Sequence, residues 1–427
     1  FIHFGMSTFT GREIDPGDQP SKTYAPTNLD VDQWIRVARD AGMKYAVLTA
    51  KHVPGHCLWD SEVIREGKEY NYDVATSGDT TDVVGEFMKA CEKYGIAPGL
   101  YYCVLDGYNE GGLQGSAPIT SDYFRLIEDH VTELLTNYPG IRELWVDIPW
   151  KMSPEQRRQL YGLVKKHEPK CLILMNNGFR EGERIVAGAW PSDLINGERT
   201  MPPAPRHNPV KQFEGKTYYV LMEVCDTISQ YWFYLPNDPP KSTRTLHRLY
   251  RHSVGRGANL LLNVTPDKTG RIPNEHIEAL QKLKKVIADP SAFPDPVTLG
   301  KTARASHVYE DDPRYQADSA LDDDEGTRWA TPAGVTSAWL EVDLGKAVSF
   351  DRALILEAYP ELERIRAFGI EYLHEGEWKP AYEGRRIGAE LEVSFPPVTA
   401  RHVRLNVVEA TDGPTISVFE LFATEGE

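Results

Sequence analysis

The sequence predicts a (β/α)8-type barrel followed by an antiparallel β-sandwich, and three observations carry that expectation. Apolar strands alternate with amphipathic helices through residues 1 to about 290, a Pro-rich stretch follows the last helix, and beyond it short alternating segments succeed one another without a helical pattern. Strands that are apolar throughout and joined by helices describe a parallel sheet covered on both faces. Short alternating strands split by turns describe an antiparallel sandwich. The chain has 427 residues, too many for one ordinary core at roughly 100–200 residues per domain. The division expected is a barrel over 1–290, a linker over 291–299 and a sandwich over 300–427.

In chain order, the barrel strands are expected at Phe1 to Gly5, Tyr45 to Ala50, Ala97 to Cys103, Glu143 to Asp147, Cys171 to Met175, Tyr218 to Met222 and Asn259 to Val264. Helical patterns lie near 31–42, 81–94, 121–137, 153–167, 241–254 and 274–287, and 180–217 is too irregular to assign. Seven strands joined in this way favour a closed barrel over an open doubly wound sheet. No Gly-x-Gly-x-x-Gly follows the first strand, which counts against a dinucleotide site. Asp289 to Pro296, with three prolines, reads as a stiff linker. The sandwich strands are expected at Trp339 to Leu344, Arg352 to Leu356, Gly369 to Leu373, Leu391 to Phe395, His402 to Val408 and Ile416 to Phe422.

A net charge of −16 argues against a nucleic-acid surface, because phosphate binding is driven by clustered Lys and Arg. No apolar run is long enough for a membrane span. The five cysteines show no metal-type spacing and read mostly as buried thiols. The opening Phe1-Ile2-His3-Phe4-Gly5 resembles the middle of a strand, so upstream residues, with or without a signal peptide, are expected to be missing. A periplasmic or secreted setting is favoured on that basis.

In a barrel the functional groups stand at the carboxyl ends of strands. His3, Lys51, His52, Asp106, Asp147, Asn176, Asn177 and Glu223 all fall at such positions. Asp147 is the sharpest case: it tops the apolar Glu143-Leu144-Trp145-Val146, and Ser153-Pro154-Glu155 supplies a better start for the next helix, so Asp147 is free to face a pocket. Hydrolysis of a glycosidic bond by two carboxyl groups needs a partner about 5 Å away for retention and further for inversion. The candidates are Glu198, on a loop that could reach over the pocket mouth, and Glu223, at a strand end and closer to a sugar-binding role. Sugar rings stack on aromatic faces, and Trp59, Tyr101, Tyr102, Trp145, Trp150, Trp232 and Tyr234 lie near strand ends. His52 and His56 have zinc-like spacing, but Pro54-Gly55 forbids the helix such a site needs. No catalytic cofactor is expected.

At these residues the sequence resembles the α-L-fucosidases of glycoside hydrolase family 29. The matching pieces are His3-Phe4-Gly5, Tyr45 through His52 followed by Gly55 to Ser61, Gly99-Leu100-Tyr101-Tyr102, Leu144-Trp145-Val146-Asp147 and Gly257 to Asp267. The resemblance implies a fucosylated glycan as substrate, net retention, Asp147 as nucleophile and Glu198 in the family's variable acid/base region. It implies His3, His52, Trp59 and Tyr102 lining the fucose pocket, with His56 compensating for a family histidine replaced by Val53; Trp145 and Trp232, from their places near strand ends, and Glu223, from its strand-end position, are expected as further sugar contacts. A second departure is Asp147-Ile148, where the family often has Asp-Gly. Met6 to Glu13 resembles the branch acting on α-1,3/1,4-linked fucose of Lewis-type glycans, which brings Glu13 into the pocket.

The C-terminal part resembles discoidin-like, galactose-binding-like modules through Ala320 to Trp329, a turn that often holds a structural calcium; Asp322, Asp324, Thr327 and Glu420 would be its ligands. Two competing readings share the same residues: a retaining glycosidase for another sugar such as α-galactose, and a carbohydrate-binding protein without catalysis. The presence of both carboxylate candidates speaks against the second.

Overall fold

The computed structural model describes all residues except 66, 110–117, 177–183, 311, 325 and 425–427. The chain forms two compact units, Phe1–Ala288 and Asp289–Glu427.

The first unit is built on seven strands: β1 Tyr45–Lys51, β2 Ala97–Cys103, β3 Glu143–Asp147, β4 Leu172–Met175, β5 Leu194–Glu198, β6 Leu221–Thr227 and β7 Asn259–Asn263. Neighbours follow chain order and every pairing is parallel. The N-terminal segment closes the ring. Ile2 N donates to Val47 O at 2.8 Å on one side, and Val264 N donates to Phe1 O at 2.8 Å on the other.

Helices Val31–Ala41, Val83–Tyr94, Ser121–Asn137, Pro154–His167, Thr243–Ser253 and Asn274–Ala288 accompany the strands. The first five begin at Asp30, Asp82, Thr120, Ser153 and Ser242, whose side chains accept from the backbone N–H three residues on. Each cap satisfies a donor that the first helical turn leaves unpaired.

Period-two alternation sorts the strand residues into two cores. Val47, Tyr101, Cys103, Trp145, Leu174, Leu194, Cys225 and Leu261 pack inside the ring. Leu48, Leu100, Tyr102, Leu144, Val146, Ile173 and Leu262 pack outward. All five cysteines are buried free thiols.

Three sequence expectations need correction. Phe1 to Gly5, expected as the first strand, makes only a single bridge between Ile2 and Leu48 and is not among the seven strands. The stretch left unassigned contains β5, so Glu198 ends a strand and is not on an irregular loop. The Leu-Ile-Asn-Gly-Glu run hides this because its third and last positions are polar, as residues that top a barrel often are. The strand expected at Tyr218 to Met222 is shifted: Lys216–Tyr219 pairs with Val210–Phe213 in a hairpin, and β6 runs on to Thr227. Glu223 is therefore inside the strand and not at its end. Its charge, and that of Asp226, masked the strand's true span.

In the second unit an antiparallel sheet carries the core, in the order Trp329–Ala330, Thr415–Ala423, Ala338–Glu357, Leu391–Ala410, Ile365–His374 and Glu377–Gly384, with Thr302–Ala305 beside Ala338–Glu357. Trp329, Leu340, Phe350, Ile370, Leu405 and Phe419 fill a sandwich core. The segments expected at Trp339 to Leu344 and Arg352 to Leu356 are two halves of one long strand, whose pairing with Leu391–Ala410 shifts register between Asp343 and Val348 and again between Phe350 and Arg352. Such bends let one strand serve two layers.

Candidate active site

The carboxyl ends of the strands surround a cavity of about 220 Å³. Asp147, the last residue of β3, has Oδ2 accepting from Tyr101 Oη at 2.6 Å and Oδ1 accepting from Ile148 N at 2.9 Å and Asn176 Nδ2 at 2.7 Å. Burial raises the pKa of its carboxyl above the ordinary aspartate value, and these three donors oppose the rise. The chain turns sharply past it, with Ile148 in the left-handed region at φ 56°. A β-branched residue is strained there, which accounts for the glycine that often follows the aspartate in the resembling family.

Glu198, the last residue of β5, presents Oε2 to the same Asn176 Nδ2 at 2.9 Å. Burial, then the charge of Asp147, pushes its carboxyl up to about 7, so it holds a proton near neutrality. One amide nitrogen thus touches both carboxyl groups, and their oxygens can be no further apart than those two bonds laid end to end.

Two imidazoles complete the floor. Asn263 donates Nδ2 to Trp232 O at 2.8 Å, so its Oδ1 is the acceptor facing His3 Nδ1 at 2.9 Å. His3 therefore carries its proton on Nδ1 and offers Nε2 as an acceptor. Burial, followed by the neighbouring His52, pulls its pKa well below the ordinary value. His52 stacks on Tyr101 with ring centres 5.5 Å apart, and burial brings it down to about 3. Both rings are neutral, suited to hydrogen-bonding hydroxyl groups. Trp145 lies parallel to Tyr101 at 5.5 Å, giving the cavity an aromatic wall. Trp232, with the Arg199 guanidinium 5.4 Å above its ring, and Glu13, whose pKa burial raises, stand at the mouth. Ile14 and Trp150, 56% and 48% exposed, form an open apolar rim.

Of the sequence candidates, the cavity brings together Asp147, Glu198, His3, Glu13, His52, Trp145 and Trp232. Four others are elsewhere. Tyr102 has the opposite parity to Tyr101 and faces the helices: its Oη lies 3.0 Å from His130 Nδ1, and Lys51 Nζ is 4.6 Å from its ring centre. Trp59 is fully buried outside the ring, its Nε1 donating to Glu133 Oε2 at 3.0 Å. His56, beyond the Gly55 turn, stacks on Tyr24 and meets Ser77 Oγ at 2.7 Å. Glu223 lies deeper in the ring, accepting from Tyr45 Oη at 2.6 Å and Trp145 Nε1 at 3.1 Å, with Glu143 beside it. Lys51 and Asp106, also at strand ends, form a fully buried ion pair of 3.1 Å. Asn177 lies outside the described residues.

Tyr101 and Asn176, which the sequence offers only as an aromatic and an amide near strand ends, also line the cavity and bond to Asp147, a role the sequence did not assign them. The inward face of Tyr101 follows only from register, since Cys103 on the same face pairs with Asp147; the position of Asn176 just after a barrel strand was visible, but nothing in the sequence showed that it bridges two carboxyls.

In the second unit, Asp322 Oδ1 and Oδ2 accept from Asp324 N at 2.9 Å and Thr327 Oγ1 at 2.7 Å, and Asp324 Oδ1 accepts from Gly326 N at 3.0 Å. The turn thus uses its own oxygens to hold itself, and among the described residues no three His, Cys, Asp or Glu converge as metal ligands. Asp322, Asp324 and Thr327, three of the four residues expected to hold calcium, share this turn.

Comparison with known proteins bears on the same residues. Residues 7–288 match the family model described as alpha-L-fucosidase, and residues 302–421 match the F5/8 type C domain. Alpha-L-fucosidase 1 of Arabidopsis thaliana is 29% identical over 441 residues, which cover 99% of this chain and 84% of that protein. Among solved structures, SpGH29 aligns with a TM-score of 0.57 at 23% identity, covering 100% of this chain and 95% of that one. A Ruminococcus gnavus GH29 fucosidase in complex with fucose aligns with a TM-score of 0.53 at 23% identity, covering 99% and 92%. At such identities the two structures speak for the fold alone.

Proposed function

The chain belongs to the alpha-L-fucosidase family of glycoside hydrolases, and from that premise we propose that it releases terminal α-1,3/1,4-linked L-fucose from branched, Lewis-type glycans with retention of configuration. The observation that carries retention is the bridge at Asn176, 2.7 Å from Asp147 and 2.9 Å from Glu198. It bounds the separation of the two bonded oxygens by the sum of those distances, which agrees better with the roughly 5–5.5 Å of double displacement than with the wider spacing of inversion.

In the first step Asp147 attacks the anomeric carbon as its C–O bond to the leaving oxygen breaks, and the proton held by Glu198 passes to that oxygen. Glu198, now ionised, takes a proton from water, whose oxygen displaces Asp147 and frees fucose. The separation of roles follows from the surroundings: three donors favour the Asp147 anion, while burial and the charge of Asp147 keep Glu198 protonated to about 7. His3 and His52, held neutral, are placed for the sugar hydroxyls, and Trp145 for an apolar face of the ring.

Support for a branched substrate is at the mouth. Glu13 approaches the cavity within reach of the Arg199 and Asp147 charges, and the Ile14 and Trp150 side chains offer apolar surface to a second sugar. Incubation with a Lewis-type trisaccharide and with 2'-fucosyllactose tests the linkage: fucose should come from the first far faster, and equal rates would reject the specificity.

A further inference from the structure

We propose that Asn176 is a positioning residue whose amide group holds the negative charge of the site on either carboxyl in turn, and that Asn196 and Cys225 fix the orientation in which it can do so. The inference rests on the two-carboxylate reading above.

During the first step one negative charge leaves Asp147, which becomes an ester, and appears on Glu198, which has given up its proton; the second step returns it. The total charge never changes, and only its place does. Asn176 Nδ2 is within hydrogen-bond distance of both ends of that path. Its two hydrogens suffice for one bond to each carboxyl, so the donor that stabilises the starting anion also faces the next one, without reorganising.

The orientation is enforced from behind. Asn196 Nδ2 donates to Asn176 Oδ1, and Cys225 Sγ donates to Asn196 Oδ1 at 3.4 Å. Burial keeps the Cys225 thiol protonated and therefore a donor. If the Asn176 amide turned over, its oxygen would face Asp147 Oδ1 and its nitrogen would face the Asn196 nitrogen, a double loss. All three side chains are buried, so water does not substitute for them. This places a chain of donors on adjacent strand ends, from β6 through β5 to the residue after β4, aimed at the reacting pair.

Other ionisable groups face the two carboxyls. Tyr101 stands on β2 and Cys103 beneath it, Cys225 is under Glu198, His3 and His52 are across the cavity, and Glu13 and Arg199 are at the mouth. Asn176 cannot ionise, so its removal changes their field only through the lost donor.

The experiment compares pH profiles of kcat/KM for the parent, Asn176→Ala and Asn196→Ala, with thermal melts as a check on folding. Loss of a donor to an anion raises that anion's pKa, so in Asn176→Ala the acid limb from Asp147 and the alkaline limb from Glu198 should both move to higher pH, with kcat down about 100-fold. Asn196→Ala, which touches neither carboxyl, should shift both limbs the same way with a smaller loss. A folded Asn176→Ala enzyme that is slow but keeps the parent's limbs overturns the proposal. If that variant does not fold, unmoved limbs in Asn196→Ala overturn it instead. An Asp147→Ala enzyme with near-normal turnover would reject the two-carboxylate reading itself, whereas an inactive Asp147→Ala with unmoved limbs in the asparagine variants rejects only the role of Asn176.

Discussion

The phenol of Tyr101 donates a 2.6 Å hydrogen bond to Asp147 Oδ2 across the pairing of β2 with β3. Burial works against ionisation of this aspartate, and the phenol works for it. Tyr101→Phe keeps the ring and its stacking on Trp145 and His52, and removes only the donor. The acid limb of kcat/KM should therefore move to higher pH, and activity below neutrality should fall about 10-fold, given roughly 1.5–3 kcal/mol for a hydrogen bond to a charged group. An acid limb identical to the parent's would refute the assignment of that limb to Asp147.

The two carboxyl roles differ in the product that azide should give. In Glu198→Gly, azide replaces water in the second step and attacks from the face opposite Asp147, so the product should be the fucosyl azide of the substrate's own anomeric configuration. In Asp147→Gly, azide occupies the vacated side and displaces the leaving group once, so the configuration should invert. Glu223→Gln should lose less than about 10-fold in kcat, since its carboxyl is committed to Tyr45 and Trp145 beneath the cavity. NMR of the products, or azide rescue at Glu223, decides between the assignments.

Glu198 also has a signature in stability. Its folded pKa of about 7 lies above the ordinary glutamate value of 4.5, so the folded state binds the proton more tightly than the unfolded chain does. The favourable contribution is complete below the unfolded value and is lost as pH rises to the folded one. Glu198→Gln, which has no charge to bury, should be more stable than the parent at pH 8, by on the order of 2 kcal/mol after allowance for the open side of the pocket. The advantage should vanish near pH 4. Urea midpoints at the two pH values measure it, and a constant difference would contradict the shift.

Gly55 holds the turn between His52 and the loop that follows, at φ +92°, and a Cβ there would meet Asp106 Oδ1 at 2.2 Å. That carboxylate is the partner of the fully buried Lys51. Displacing it leaves an ammonium group in a dry site, and a broken buried pair costs about 3–5 kcal/mol. Gly55→Ala should lower the denaturation midpoint accordingly and, because Lys51 precedes His52, weaken fucose binding as well. Calorimetry and a fucose titration report the two effects separately.

Much of the fold was legible because its signals are local. Apolar runs of strand length, the helix start at Ser153-Pro154-Glu155, and the change of period after the Pro-rich stretch each depend on a few neighbouring residues. Asp147 was legible for the same reason: a carboxylate ending an apolar strand before a separately capped helix has little other use. What failed were questions of direction. Whether Tyr101 or Tyr102 looks inward depends on register, which no single strand reveals, and β2 and β3 settle it only once Cys103 is paired with Asp147. Trp59 and His56 lie close in sequence to His52, yet the Gly55 turn carries them out of the ring. Glu198 and Glu223 were hard to separate because the strands that carry them have polar residues on the face that points into the barrel, which removes the apolar continuity by which the others were found.

The seam of the barrel bears on how the chain is made. Ile2 joins β1 and Phe1 receives the backbone N–H of Val264, so the two lips of the sheet are stitched together by segments from opposite ends of the unit. Contacts this remote in sequence form slowly. A nascent polypeptide on the ribosome cannot seal the ring before its seventh strand has emerged, and until then both open edges are exposed to neighbouring chains. Truncation anywhere before that strand would leave His3 without Asn263 and the sugar-binding floor unfinished, so no shorter N-terminal fragment inherits the activity.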